Sequence, residues 1–247
     1  MLHKNTRIVT GGGIPLVGAA SVHRQIVALA GVRRPKAVLL PTATYDKPEA
    51  VAQFHHTYGK RLGCETREVL LLGREPDLRV GRRLLESADI IYVTGGNTLK
   101  ALRRWRHLGV DALLHRAHRR GTLLAGSSAG GICWYDLGHS DSMSFYHPEH
   151  WDYIAVKGLG MLPVTACPHV MGERRMESFR ALIHKRGGVG IGIDDHCAIA
   201  YVGNTYRVLR THIRAKAYTV VRRLNQVETR EVKVVQGFSP VSELFAM

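Results

Sequence analysis

The sequence predicts an α/β fold built on a doubly wound, mostly parallel sheet. Short apolar runs alternate with segments of helical periodicity over the first half of the chain. Several of these runs lead into glycine-rich or serine-rich turns, as at 94–97 and 126–130. The length of 247 residues suits one domain, so we expect residues 1–247 to form a single α/β domain.

The first half of the chain reads as strand–helix units in succession. The run at 36–40 precedes Pro41, as in a buried parallel strand, and Pro48 lies near the first turn of the helix that follows. Asp111 is predicted to cap a helix that ends at Gly121. Strands are predicted at 7–10, 36–40, 68–72, 89–93 and 123–127, and the other helices at 20–30, 48–62, 81–88 and 98–107.

The second half is less regular. Residues 136–160 are rich in turn formers, which indicates a loop or flap region. A strand is expected at 162–167, a helix at 176–184, and sheet extensions at 189–193, 198–202 and 206–209. Alternating residues at 217–224 and 231–235 predict a C-terminal β-ribbon, which is a candidate surface for pairing two chains into a homodimer.

Composition excludes several classes of protein. The sequence has no apolar run long enough to span a bilayer and no signal-peptide core at its start, so we expect a cytoplasmic protein without membrane contact. The four cysteines form no C-x-x-C pair, so no metal site is expected. The net charge is +15, but the arginines are scattered doublets without a nucleic-acid motif, so no nucleic-acid partner is expected.

A glycine turn near the start resembles a dinucleotide-binding fingerprint but does not complete it. Gly11 and Gly13 have the right spacing, yet Leu16 occupies the position of the third glycine and Pro15 stands where the helix should begin. No cofactor is therefore predicted.

The most informative motif is Gly126-Ser127-Ser128-Ala129-Gly130, a G-x-S-x-G sequence that follows an apolar run. In a nucleophile elbow, the central serine stands on a sharp strand-to-helix turn that small neighbours permit. The alternative is an ordinary small-residue turn between a strand and a helix. The first interpretation makes Ser128 a nucleophile, which requires a base, a residue that orients the base, and an oxyanion hole.

His169 is the preferred base because it follows a predicted strand and Pro168, at the edge of the sheet where ligands bind. Asp195 also follows a strand and is the preferred orienting residue, while Asp141 is its rival. Either aspartate could instead form an Asx-turn. Other histidines that remain candidates for the base are His139, His147, His150, His196 and His212.

The elbow itself places the N–H of Ala129 for an oxyanion hole. A second donor could come from Gly95-Gly96-Asn97, another glycine turn that opens a helix. That turn could equally be a strand–helix connection with a capping Asn97.

Four segments together resemble the dipeptidase E (aspartyl dipeptidase) family of serine peptidases, which includes the cyanophycinases. These segments are 92–99, 126–134, 158–169 and 192–195, in the order and with the separations typical of the peptidase E-like members. The resemblance implies a class I glutamine amidotransferase-like fold with Ser128 as nucleophile, His169 as base, and Gly96 with Ala129 as oxyanion donors. It leaves Asp195 and Asp141 as alternatives for the third member of the catalytic triad.

The resemblance also implies removal of N-terminal aspartate from short, acidic peptides through an acyl-enzyme. A cation must then face the substrate carboxylate, and Arg174 and Arg175 are the candidates, with Asn97 as a further substrate contact. The two arginines could instead be a surface pair at the start of a helix.

Two other functions remain open at this point. An α/β-hydrolase esterase would order its triad Ser128, Asp195 and His212, although the sequence has no H-G-G-G-type loop. The scaffold could also be a catalytically inactive binding protein.

Overall fold

The computed structural model describes residues 1–172 and 174–246. Its central feature is an eight-stranded sheet that contains five adjacent parallel strands. The strands of the first half are β1 (Arg7–Gly11), β2 (Lys36–Leu40), β3 (Glu65–Glu68), β4 (Ile90–Val93) and β5 (Leu123–Ser127). The helices are α1 (Ala20–Ala30), α2 (Pro48–Phe54), α3 (Leu78–Ser87), α4 (Thr98–Leu108), α5 (Val110–Arg120) and the short α6 (Ala129–Ile132).

The second half supplies the remaining strands and two helices. The strands are β6 (Tyr135–Ser140), β7 (Ile154–Lys157), β8 (Leu162–Pro168), β9 (Val189–Ile193), β10 (Cys197–Val202), β11 (Thr205–Arg210), β12 (Ala217–Arg223), β13 (Gln226–Glu231) and β14 (Ser239–Pro240). The helices are α7 (Arg175–Arg186) and α8 (Ser242–Phe245).

The strands form two sheets, a division that the sequence analysis did not predict. The first has the order β14-β11-β10-β1-β5-β4-β2-β3, in which β1, β5, β4, β2 and β3 are parallel. The second has the order β13-β12-β9-β8-β6-β7, with β6, β8 and β9 parallel. Antiparallel strands lie at one margin of the first sheet and at both margins of the second.

Alternate residues of the parallel strands pack against helices on opposite faces. Leu39 and Tyr92 belong to the apolar cluster that contains α1 residues, whereas Leu40 and Val93 belong to the cluster with Leu102 of α4. Burial on both faces explains why these strands are continuous apolar runs rather than alternating ones. The prediction of a doubly wound α/β fold is confirmed.

Several predicted elements need correction. The third strand is β3 rather than 68–72, because Asp46 accepts the N–H groups of Leu71 and Leu72 and draws that segment out of the ladder. The helix predicted at 48–62 is α-helical only through α2 and continues as a π-helical segment, His55–Arg61. Asp111 lies within the first turn of α5, whose cap is Gly109.

The region predicted as a loop at 136–160 contains β6 and β7. Its buried positions include His139 and Ser140, so the strand lacks the apolar signature that sequence reasoning relies on. The C-terminal ribbon is present as β12 and β13, but its second strand begins at Gln226 because a tight turn follows Arg223. Within the described residues, no helix combines the length and apolar character needed to cross a membrane.

Candidate active site

Ser128 occupies a sharp turn between β5 and α6. Its backbone has φ 54° and ψ −118°, a conformation that L-residues rarely adopt, and its N–H donates to the carbonyl of Gly11 at 2.8 Å. The flanking glycines are required by close packing. A β-carbon on Gly126 would overlap the carbonyl oxygen of Gly130, and one on Gly130 would overlap that of Val93. The turn therefore has the geometry of a nucleophile elbow.

His169 follows the end of β8 and faces the serine. Its Nε2 lies 2.8 Å from Oγ of Ser128, and its Nδ1 is hydrogen-bonded to Oδ1 of Asp195. The imidazole is about one-third exposed, since the side-chain accessibility is 32%. The three side chains thus form one continuous chain of hydrogen bonds in the order hydroxyl, imidazole and carboxylate.

Asp195 lies just beyond β9 and is held by its own neighbour. The carboxylate of Asp194 accepts the N–H of Asp195 at 2.8 Å, which fixes the turn after the strand. Burial raises the pKa of Asp194, and the hydrogen bond from Asp195 acts in the opposite direction.

The glycine run after β1 belongs to this site, although the sequence analysis assigned it no role. Gly13 forms an isolated parallel bridge with Asp195, and a β-carbon there would overlap Oδ1 of Asp195. A β-carbon on Gly12 would overlap the carbonyl of Asp194. The N–H of Ile14 donates to Oγ of Ser127 at 2.6 Å. The signal that could have revealed this role is the uninterrupted triplet of glycines at a strand end.

The Gly95-Gly96 turn lies beside the serine. A β-carbon on Gly95 would sit 3.3 Å from Cβ of Ser128, and Gly96 has φ 115° and packs against the carbonyl of Ala43. The N–H of Asn97 donates to Ala43 at 2.9 Å. The amides of the two glycines are therefore the candidate donors that this turn offers.

Asn97, predicted to contact substrate, is fully buried instead. Its Oδ1 accepts the N–H of Lys100 at 2.9 Å as the cap of α4, and its Nδ2 lies 3.3 Å from the hydroxyl of Tyr45. A buried amide engaged on both sides is a structural cap, so the substrate-binding prediction for Asn97 needs correction.

The alternative acid, Asp141, forms an ion pair with Arg175. Its Oδ2 lies 3.1 Å from Nη1 of Arg175, and the same guanidinium donates to the carbonyl of His139. Arg175 is buried at 4% exposure and packs over the ring of Tyr153. The structure therefore joins Asp195, and not Asp141, to His169.

Neither predicted substrate arginine lines the cavity at the serine. Arg175 is committed to Asp141, and Arg174 is an exposed residue in the left-handed conformation that precedes α7. Arg174 instead lines a separate depression with Trp151 and Tyr153. The pair of arginines expected at the substrate carboxylate is absent from the described lining of the cavity beside Ser128.

The other candidate bases lie outside the hydrogen-bonded chain. His139 is buried against Oγ of Ser178 at 3.0 Å, and burial, with the nearby charge of Arg175, lowers its pKa to about 3. His212 contacts the backbone of Arg214 in the segment after β11, so the esterase triad ending in His212 is not formed.

A cavity of about 450 Å³ opens beside the hydrogen-bonded chain, within the range of small-molecule sites. Its lining includes Gly95, Ser127, His169 and Asp195. Across the residues 1–172 and 174–246, no group of three or more His, Cys, Asp or Glu side chains is arranged to hold a metal ion.

Comparisons with known proteins agree with this architecture. A family model described as peptidase family S51 matches residues 8–209. The uncharacterized peptidase YgaJ of Bacillus subtilis (strain 168) is 31% identical over 215 residues, which is 85% of this chain and 89% of that protein. Peptidase E of Escherichia coli O1:K1 / APEC is 29% identical over 108 residues, 40% of this chain and 45% of that protein.

Solved structures show the same fold. The crystal structure of a peptidase from an acI-B1 Actinobacterium superposes with a TM-score of 0.73 at 17% identity and covers 96% of this chain and 98% of that chain. A putative peptidase E protein from Listeria monocytogenes EGD-e gives a TM-score of 0.63 at 18% identity, over 84% of this chain and 99% of that chain. The predicted class of fold is therefore confirmed.

Proposed function

Because the chain belongs to peptidase family S51, we propose that it is a serine peptidase that cleaves short peptides through Ser128, His169 and Asp195. The observation that carries the proposal is the 2.8 Å separation of Ser128 Oγ and His169 Nε2, continued through Nδ1 to Asp195. A hydroxyl is activated as a nucleophile when a base accepts its proton and a carboxylate orients that base.

The proposed reaction is acyl transfer to the serine. Ser128 Oγ attacks the peptide carbonyl while His169 Nε2 takes its proton, and the carboxylate of Asp195 stabilises the resulting imidazolium. The N–H groups of Ala129 and Gly96 are the proposed donors to the oxyanion. The imidazolium then protonates the leaving amine, and a water activated by the same imidazole hydrolyses the acyl-enzyme.

The size of the cavity supports short peptides as substrates, since a volume of about 450 Å³ holds a small molecule rather than a long segment of chain. Preference for an N-terminal aspartate stays a prediction of the family resemblance. Arg174 and Arg175, the cations expected to serve it, lie away from the cavity lining, so the proposal does not include that preference.

The test compares the wild type with Ser128→Ala on a set of dipeptides and on p-nitrophenyl acetate. Peptide cleavage that is lost in Ser128→Ala, and retained in a Ser87→Ala control on the exposed face of α3, supports the proposal. A serine-directed phosphonate should add one adduct mass to the wild type and none to Ser128→Ala. Peptide cleavage that persists in Ser128→Ala would overturn the proposed function.

Two histidine variants separate the peptidase from the esterase mechanism. His169→Ala should abolish cleavage, whereas His212→Ala should leave it close to that of the wild type. The reverse result, with ester but no peptide hydrolysis, would support the alternative order of triad residues.

A further inference from the structure

The cavity beside Ser128 has a partly apolar lining. Its apolar part comes from Ile14, Pro15 and Leu16 after β1, Ala50 of α2, and Tyr92 of β4. Among the described residues that line this cavity, none is a lysine or an arginine.

Besides Ser127, His169 and Asp195, the polar side chains of the lining are those of Thr44, Thr94, Gln53 and His196. The carboxylate in the lining is that of Asp195, which is already hydrogen-bonded to His169. The lining thus offers an incoming side chain apolar contact and a few hydrogen bonds, but no lysine or arginine among the described residues.

This lining discriminates against acidic side chains. A carboxylate that enters the cavity exchanges water for apolar groups, and its charge is repelled by Asp195. An aliphatic or aromatic side chain gains from the same transfer, because burial of apolar surface is favourable in proportion to its area. The net charge of +15 can steer anions towards the protein at long range, but it does not supply a contact inside the cavity.

We infer that this cavity binds an uncharged, apolar side chain of the substrate next to the scissile bond. The inference rests on the proposed serine peptidase function and names its substrate class: short peptides with an aliphatic or aromatic residue at that position. Peptides with aspartate or glutamate there are poor substrates. Selection comes from the wall formed by residues 14–16, Ala50 and Tyr92, and not from Arg174 or Arg175.

The first experiment measures kcat/KM for two dipeptide series, X-Leu and Leu-X, with X as Leu, Phe, Asp, Glu or Lys. In one of the series, kcat/KM for the peptides with X as Leu or Phe should exceed kcat/KM for those with Asp, Glu or Lys by at least about tenfold. This is the discrimination that apolar groups supply in a hydrophobic pocket. A preference for Asp, Glu or Lys in that series, or no preference in either, would overturn the inference.

A charge introduced into the wall should shift this preference. Gln53 is exposed on α2 and lines the cavity, so Gln53→Arg places a cation there without disturbing the core. The ratio of Asp to Leu activity should rise by about fivefold, as expected for a partly exposed charge pair. Ala52→Arg is the matched control, because Ala52 is exposed on the same helix and outside the cavity lining; its ratio should equal that of the wild type.

The failure of this inference can be distinguished from failure of the proposed function. Cleavage that depends on Ser128 but favours acidic peptides would refute the inference alone. If no peptide is hydrolysed, calorimetric titration of Ser128→Ala with Leu-Leu and Asp-Leu still tests the cavity. Tighter binding of Leu-Leu is the expected result, and tighter binding of Asp-Leu, or equal binding of the two, would refute the inference.

Discussion

Gly13 and Asp195 pack backbone against backbone, with the glycine Cα facing the carboxylate that is bonded to His169. A β-carbon on Gly13 would overlap Oδ1 of Asp195 and lie 2.8 Å from Cε1 of His169. The carbonyl of Gly13 also accepts the N–H of His196 at 2.9 Å. The loop after β1 thus forms a support for the proposed acid–base pair, and it leaves no room for a side chain.

Replacement of Gly13 by alanine is expected to impair catalysis more than folding. The new methyl group must displace Asp195 or His169, and misplacement by about 1 Å can cost on the order of 100-fold in rate. We expect kcat/KM to fall by about that factor while the thermal midpoint changes little. Gly73→Ala is the control, since a β-carbon there meets nothing within 4 Å. Equal activity of the two variants would show that the support is not rigid.

Asp195→Asn should lower kcat by about 10³-fold, because the amide can stabilise the wrong tautomer of His169 and carries no charge to offset the imidazolium. Asp195 is half-exposed, so the free energy of unfolding should change by less than about 0.5 kcal/mol. Steady-state kinetics measure kcat, and urea titration of the same preparation measures the free energy of unfolding. A variant with nearly full activity would remove Asp195 from the mechanism.

The sequence predicted most of the first sheet because its strands are buried on both faces and appear as unbroken apolar runs, such as β2 and β4. It also predicted that Ser128, His169 and Asp195 follow strand ends, although β5 belongs to the first sheet and β8 and β9 belong to the second. It missed β6, whose buried residues include polar side chains that bond within the protein. The third strand was predicted at the wrong position because the true strand, Glu65–Glu68, is charged and lies at the sheet edge.

The pairings among charged residues could not be predicted in this way. Asp141 and Arg175 are 34 positions apart, and only the packing of α7 against the second sheet brings them to 3.1 Å. The same packing removes Arg175 from the substrate and Asp141 from His169. Likewise, the contact of Gly13 with Asp195 joins two distant strand ends, and a glycine triplet alone does not identify its partner.

Asp141→Asn should lower stability rather than abolish catalysis. It leaves the buried guanidinium of Arg175 without its carboxylate, and Nε of Arg175 already has no partner in the described structure. Breaking such a pair is expected to cost about 2–4 kcal/mol, since Asp141 remains partly solvated. Urea unfolding measures this loss. The double variant Asp141→Asn/Arg175→Met should recover part of it, because the charge left unpaired is then gone.

The kinetic result for Asp141→Asn separates the two candidate acids. At a temperature where the variant is folded, kcat should stay well above that of Asp195→Asn. A loss of about 10³-fold in kcat with unchanged stability would instead identify Asp141 as the third catalytic member.

Stability should fall as the pH is lowered from about 6.5 towards 4, in part because of His118. Burial, with the nearby charges of His3, His115 and Arg119, lowers the pKa of His118 from 6.5 to about 4. In that window the unfolded chain binds a proton that the folded protein excludes, so protonation favours unfolding by up to about 2 kcal/mol between pH 7 and 5. His118→Gln should flatten the dependence of the unfolding free energy on pH by this amount, whereas the control Ser87→Ala, which removes no titratable group, should leave the slope unchanged. Parallel slopes for the wild type and His118→Gln would mean that His118 is protonated equally in both states.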